Sequence, residues 1–263
     1  MLEWLRARRT PVSRAPVVAR TPAGTRLYAI GDIHGRADLL DRLLGLIARD
    51  AARHTDKAGA LIFLGDYVDR GPWSAEVLER LSTGALPLRE RHFLMGNHEQ
   101  MLLAFLHSPL EHARWLEYGG LATLASYAAP LAGRDADTLV DAAATLAAAL
   151  PAHHRRFLEG LAYSHCRGGY LFAHAGIRPG VAIAAQEPHD LLWIREPFLR
   201  YRKPHPLTIV HGHHALEQVD ARDNRIGIDT GAYATGRLSC LVLDGAERLV
   251  LDTEAGEPVP LSG

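Results

Sequence analysis

Five short apolar runs in this chain each end in glycine beside aspartate, asparagine or histidine, and this repeated layout constrains the fold more than any other feature. Leu61-Ile62-Phe63-Leu64 leads into Gly65-Asp66-Tyr67-Val68-Asp69-Arg70-Gly71. Leu27-Tyr28-Ala29-Ile30 leads into Gly31-Asp32-Ile33-His34-Gly35, and His92-Phe93-Leu94-Met95 into Gly96-Asn97-His98-Glu99. Leu171-Phe172-Ala173 precedes His174-Ala175-Gly176, and Leu207-Thr208-Ile209-Val210 precedes His211-Gly212-His213-His214. Short apolar runs closed by glycine read as buried strands. Glycine allows a sharp turn and a close approach of the backbone to a ligand. Asp, Asn and His supply oxygen and imidazole donors, a set suited to Mn, Fe or Zn. In open α/β sheets, ligands bind just beyond the carboxyl ends of strands. Any one such loop reads equally well as a surface turn with solvated charges; recurrence at five strand ends argues for a shared site.

The 263 residues, 48% hydrophobic and 22% charged, suit one α/β domain with a sizeable core. A net charge of −1 creates no global field for nucleic acid or an anionic membrane, and no apolar run spans a bilayer. Neither nucleic-acid nor membrane partners are expected, and the chain reads as cytoplasmic and monomeric. Cys166 and Cys240 form no Cys-x-x-Cys pair, so two buried thiols in a reducing compartment are expected rather than a disulfide or thiolate metal site. His54, His107, His112, His153, His154, His189 and His205 are expected to be ordinary surface or core residues.

Residues 1–25 read as a basic, proline-broken extension, loosely ordered and without the apolar core of a secretory signal. After Gly35, the spacing of Leu39, Leu40, Leu43, Leu44 and Ile47 predicts a helix with Asp38 near its start. After Gly71, a second helix is expected with Pro72 in its first turn and Val77, Leu78 and Leu81 inward. Strand–loop–helix repeated twice is the parallel βαβ pattern with right-handed crossovers. From about 101 to 163 the pattern is helical, an insertion able to wall a cleft. Arg225–Ile228, Leu238–Leu243 and Arg248–Leu251 read as strands, with Asp244-Gly245 a hairpin signal. The main domain is taken as 26–253 and the tail as 254–263.

GDIHG, GDYVDRG and GNHE, in that order, resemble the signature of the phosphoprotein phosphatase family within the calcineurin-like metallophosphoesterases. The likeness runs from about Tyr28 to about Asp244. GNHEQML, LLWIRE and IDTGAY are similar to compact bacterial and phage members of the lambda-phosphatase type. The resemblance implies an α/β fold of two packed mixed sheets flanked by helices. It implies two divalent ions, manganese first, with iron and zinc as alternatives. Asp32, His34 and Asp66 would hold one ion; Asp66, Asn97, His174 and His213 would hold the other, with Asp66 bridging. The glycine-histidine-threonine pattern of the family aligns with His213 and puts His214 at the threonine. His211 is then structural. Met95 replaces an arginine common in relatives.

The same resemblance implies phosphoester hydrolysis by a metal-bridging hydroxide, with Arg70 and Arg195 holding phosphate oxygens. His98 would be the general acid, oriented by Asp69. The alternative for Arg195 is an ion pair with Glu196. Tyr233 belongs either to the cleft mouth or to packing. The leading reading is a serine/threonine or dual-specificity protein phosphatase acting on phosphoproteins, phosphopeptides or small phosphoesters. The second is a diadenosine tetraphosphate hydrolase; those enzymes lack an aspartate at the Asp69 position and carry aspartate at the Glu99 position. A catalytically inactive binding module on the same fold is the third, disfavoured because every matched ligand is present.

Overall fold

Successive side chains of a strand point to opposite faces of its sheet, and in β1 (Thr25–Ile30) both faces are buried. The computed structural model describes residues 19–129 and 131–261. The expected basic extension up to residue 18 lies outside the described residues. Helix α1 (Ala37–Arg53) connects β1 to β2 (Ala58–Phe63), and α2 (Ser74–Thr83) connects β2 to β3 (Glu90–Phe93). All three strands are parallel, as the βαβ pattern predicts.

A helical stretch follows: α3 (Asn97–His107), a 3-10 turn (Ala113–Tyr118), α4 (Gly120–Ser126), α5 (Ala136–Ala149) and α6 (Ala152–Glu159). It starts inside the GNHE motif, earlier than the expected 101, because Asn97 is already helical. The chain then forms β4 (Ser164–Arg167), β5 (Tyr170–Ala173), helix α7 (Pro188–Trp193) and β6 (Thr208–His211). The last strands are β7 (Asp220–Ala221), β8 (Arg225–Gly227), β9 (Ser239–Asp244), β10 (Glu247–Asp252) and β11 (Val259–Pro260).

The first sheet has the order β11-β10-β9-β1-β2-β3, and the second β4-β5-β6-β8-β7. Both are mixed: β1, β2 and β3 run parallel while β9 is antiparallel to β1, and β5, β6 and β8 run parallel between antiparallel edges. Leu27, Ala29, Ala60, Ile62, Leu241 and Leu243 face the second sheet and meet Tyr170, Phe172, Val210 and Ile226. Their sequence neighbours Tyr28, Ile30, Leu61, Phe63 and Val242 face the helices, packing with Leu40, Val77, Phe105, Trp115 and Leu158. A third cluster covers the outer face of the second sheet, where Leu171 and Ile209 meet Leu191 and Phe198. The layers are therefore helix, sheet, sheet, helix, as the resemblance implies. Trp115 and Leu158 join the same core as β1, so the helical stretch is packed into the layers rather than set apart.

Three local expectations change. Pro72 lies before the N-cap Trp73 of α2, not in the first turn. Asp244 pairs with Glu247, so the hairpin turn is Gly245-Ala246, with Gly245 at φ 58°. Cys166 is exposed, and only Cys240 is buried. Cys166 sits on the edge strand β4, where alternate residues face outward.

At the end of β1 remote from the glycine loops, Asp50 of α1 accepts from Arg26 Nε at 2.8 Å and from Tyr28 Oη at 2.6 Å. Asp50 and Arg26 are 2% and 3% exposed, and without Asp50 the buried guanidinium keeps only Asp244, 3.2 Å away, as an acidic partner. Asp50→Ala is expected to destabilise the fold by about 3–5 kcal/mol. A urea titration checks this as a lowered midpoint at an unchanged slope.

Candidate metal centre

Asp32 and His34 follow β1; Asp66, Asp69 and Arg70 follow β2; Asn97 and His98 follow β3. From the second sheet, His174 follows β5 and His213 follows β6. All are delivered at strand carboxyl ends. Five of the six non-glycine residues with positive φ among the described residues lie in these loops: His34 at 47°, Asp66 at 52°, Asp69 at 73°, Arg70 at 68° and His213 at 62°. Such backbone is costly for side chains of this size and concentrates at functional sites. Glycine is required where two carboxylates seat. A Cβ on Gly96 would overlap Asp66 Oδ1, and one on Gly212 would overlap Asp32 Oδ1.

Asp66 is common to two donor clusters, one with His34 and His98 and one with His174 and His213. Its Oδ2 is 3.4 Å from His34 Nε2, and its Oδ1 is 3.4 Å from His174 Nε2. Asn97 Oδ1 lies 2.9 Å from His174 Nε2 and 2.8 Å from His213 Nδ1. The His34 and His174 tautomers follow from their partners. Nδ1 of His34 faces the Val68 carbonyl and Nδ1 of His174 faces the Leu64 carbonyl, each at 2.9 Å, so each Nδ1 carries the proton. Each Nε2 then presents a lone pair to the centre. His174 Nε2 and Asn97 Oδ1 are thus two acceptors face to face, which a cation resolves. Asp32 Oδ1 is buried without a hydrogen-bond partner. Buried polar atoms are normally paired, so this orphaned carboxylate oxygen fits a ligand position.

The charges agree. Burial pushes the Asp66 carboxyl up, but His174, His98, His34 and His213 outweigh it and hold it below the usual range. Asp32 is driven the other way, well above the carboxylate range, by burial and then by the charges of Asp229 and Asp66. A carboxyl held up by burial and like charge is one that a cation ionises. Burial lowers His34, His174 and His213, leaving the neutral imidazoles that bind metals. The residues present therefore fit a divalent pair.

The calcineurin-like phosphoesterase model matches residues 25–244. This chain belongs to that family. A symmetrical bis(5'-nucleosyl)-tetraphosphatase of Paracidovorax citrulli is 43% identical over 88 residues, 34% of this chain and 29% of that protein. A Caenorhabditis elegans protein provisionally named a serine/threonine-protein phosphatase is 45% identical over 74 residues, 28% of this chain and 19% of its own. The chain thus matches less than a third of the length of either relative. Among solved structures, a provisionally named diadenosine tetraphosphatase superposes with a TM-score of 0.58 at 21% identity, covering 89% of this chain and 98% of its own. A cold-active protein tyrosine phosphatase gives a TM-score of 0.58 at 19% identity, covering 90% of this chain and 79% of its own. At these identities the structures show the shared fold alone.

Around this calcineurin-like centre, supporting contacts come from distant segments. Asp69 Oδ2 is 2.6 Å from His98 Nδ1 and accepts from Trp115 Nε1 at 2.7 Å, while Oδ1 accepts from Thr123 Oγ1 at 2.6 Å. Burial lowers the His98 pKa, but the charges of Asp66 and Asp69 and the Asp69 hydrogen bond outweigh it, and the net shift is upward. Glu99 accepts the backbone N–H groups of Asp66, Tyr67, Val68 and Gly96 at 2.7–3.2 Å. It thereby fixes the strained turn that carries Asp66.

The Arg70 guanidinium lies 3.0 Å from His34 Nε2 and 3.1 Å from His98 Nε2, and 4.7 Å from the Tyr233 ring centre. Tyr233 is 41% exposed, which puts it at the mouth rather than in the core. Arg195 is exposed, and its charge reaches His213 and His214. The alternative ion pair to Glu196 does not form, because Glu196 pairs with Arg200. His211 is buried against Phe198 and burial lowers its pKa to about 3, a packing role. His214 joins neither donor cluster. Met95 is buried in the helix-side core.

Asp229 was not anticipated as a site residue. It is buried, accepts from Gly231 N at 2.8 Å and is pushed up to about 6 by burial. Its signal was present: it closes the short run ending at β8, a sixth strand end with an acid beside the site.

Proposed function

We propose that this chain is a dimetal phosphohydrolase that cleaves the phosphoanhydride chain of a dinucleoside polyphosphate, with bis(5'-nucleosyl)-tetraphosphate as the model substrate. The observation that carries a two-ion reading is Asp66 as the common member of two donor clusters, next to the orphaned Asp32 Oδ1. The substrate class is supported by the names of the bacterial relatives, which reverses the order of the two leading sequence readings. Asp32, His34 and Asp66 would hold one ion, and Asp66, Asn97, His174 and His213 would hold the other, with manganese the first candidate. Bound ions offset phosphate charge and lower the pKa of water toward neutrality. Arg70 and Arg195 hold non-bridging oxygens, where planar, permanently charged guanidinium is favoured. Asp69 keeps a proton on His98 Nδ1 and so orients Nε2, whose proton serves a departing oxygen basic enough to need one. A nucleotide substrate and two free thiols suit a reducing cytoplasm.

A second reading, phosphomonoester hydrolysis on phosphopeptides, is favoured by the 2.6 Å contact between Asp69 and His98. An alkoxide leaves only with a proton, whereas a nucleoside diphosphate leaves as a stable anion, so an oriented acid matters most for monoesters. Both substrate types are assayed side by side on manganese-loaded protein. Diadenosine tetraphosphate is expected to yield two nucleoside diphosphates with a kcat/KM at least about tenfold above that of a phosphoserine peptide, a gap of about 1.4 kcal/mol in transition-state binding. The opposite ranking, without nucleoside diphosphate product, replaces the first reading with the second.

A further inference from the structure

Away from the strand-end centre, on the face where α2 packs against α6, three donors meet. Glu79 Oε2 lies 2.7 Å from His153 Nε2 and 2.9 Å from His154 Nε2. Adjacent helix residues normally diverge, yet both rings turn onto one carboxylate oxygen, 4.5 Å apart at their centres. His154 is buried, and its Nδ1 is 2.7 Å from the Tyr127 hydroxyl, which fixes the ring with Nε2 facing Glu79. Histidine ligands characteristically have their second ring nitrogen tied in this way. Thr83 Oγ1 holds the other Glu79 oxygen at 2.8 Å, and Glu76, one turn earlier, adds negative charge that reaches Tyr127.

An exposed ion pair needs one histidine and contributes little; it does not explain two imidazoles on one oxygen with a buried hydroxyl behind them. Ligands about 2.0–2.1 Å from a tetrahedral zinc lie roughly 3.3 Å apart. The present spacings need to open by about half an ångström, which a small rotation of the exposed Glu79 side chain provides. The solvent-facing side of Glu79 and His153 leaves the fourth position open.

We propose that Glu79, His153 and His154 form a third metal site, separate from the strand-end centre, for a borderline divalent ion of the zinc class. Two imidazoles and a carboxylate are the donor set such ions take. The ion ties α2 to α6. Helix α2 begins at Ser74, whose Oγ accepts the Asp69 N–H at 3.0 Å, so the tie braces the Asp69 loop through the helix behind it. This site does not depend on the substrate reading.

The test uses metal-stripped full-length chain titrated with cobalt(II), read by elemental analysis and by the visible bands of tetrahedral cobalt. His153→Ala and Glu79→Gln are each expected to bind one ion fewer per chain than the unaltered protein. In an Asp66→Asn background, a tetrahedral cobalt signal is expected to persist, and one cobalt per chain is expected to be lost when His153→Ala is added. With zinc at about one hundred times its dissociation constant, the unaltered chain gains roughly 5–10 °C more in Tm than His153→Ala. Equal metal content and an equal zinc-induced Tm shift in the unaltered and His153→Ala proteins overturn the proposal. Loss of all cobalt from the Asp66→Asn chain overturns it as well. Should the strand-end centre bind no ion at all, the one-ion difference at Glu79 remains measurable.

Discussion

Asp66→Asn is expected to strip the strand-end centre of one or both ions and to lower turnover by at least about 10³-fold. The substitution changes charge and little else. Asparagine tolerates the left-handed backbone that Asp66 adopts at φ 52°, so the turn survives. One amide oxygen still accepts the His98 N–H that Asp66 Oδ1 now takes at 3.1 Å. What is lost is a carboxylate with one oxygen toward His34 and the other toward His174, each at 3.4 Å. An amide offers one good donor atom in place of two and carries no charge. Elemental analysis of protein that retains its cooperative thermal transition is the check. Full metal occupancy in the variant removes Asp66 from the bridging position and, with it, the two-ion reading.

His98→Asn separates two roles that the geometry brings close. His98 Nε2 is 3.8 Å from Asp66 Oδ2 and belongs to the donor cluster with His34, yet its Nδ1 is held 2.6 Å from Asp69. If His98 is the acid, the variant keeps its metal content and loses roughly 10²–10⁴-fold in turnover of an alkyl phosphomonoester. Anhydride cleavage falls much less, because that leaving group departs without a proton. Loss of an ion from the variant instead makes His98 a ligand. Unchanged turnover on both substrates takes it out of the mechanism.

The layers were legible because their causes are local. Period-two alternation in Leu27-Tyr28-Ala29-Ile30 puts one residue toward the helices and the next toward the other sheet. The glycine loops after β1, β2, β3, β5 and β6 announce where the backbone must turn. The family resemblance picked out Asp32, His34, Asp66, Asn97, His174 and His213 on those loops; the fold groups His34, His174 and His213 about Asp66 and sets Asn97 against His174 and His213, while Asp32 joins neither donor cluster and accepts the His213 N–H. The contacts that hold them were not legible. Trp115 and Thr123 reach Asp69 across 46 and 54 residues, and no period in the sequence links them. The exposure of Cys166 depended on β4 being an edge strand, a matter of strand order rather than composition. His153 and His154, read as ordinary, meet Glu79 across 74 and 75 residues only because α2 packs on α6.

The amino-acid sequence by itself determined the strand ends, the donor types placed on them and the family signature they spell, since each follows from neighbours a few residues apart. Tertiary structure alone decided which donor atoms come within reach of one another, which contacts hold them and which histidines face solvent. Those outcomes depend on how two sheets and their covering helices pack, and packing pairs residues that the chain keeps far apart.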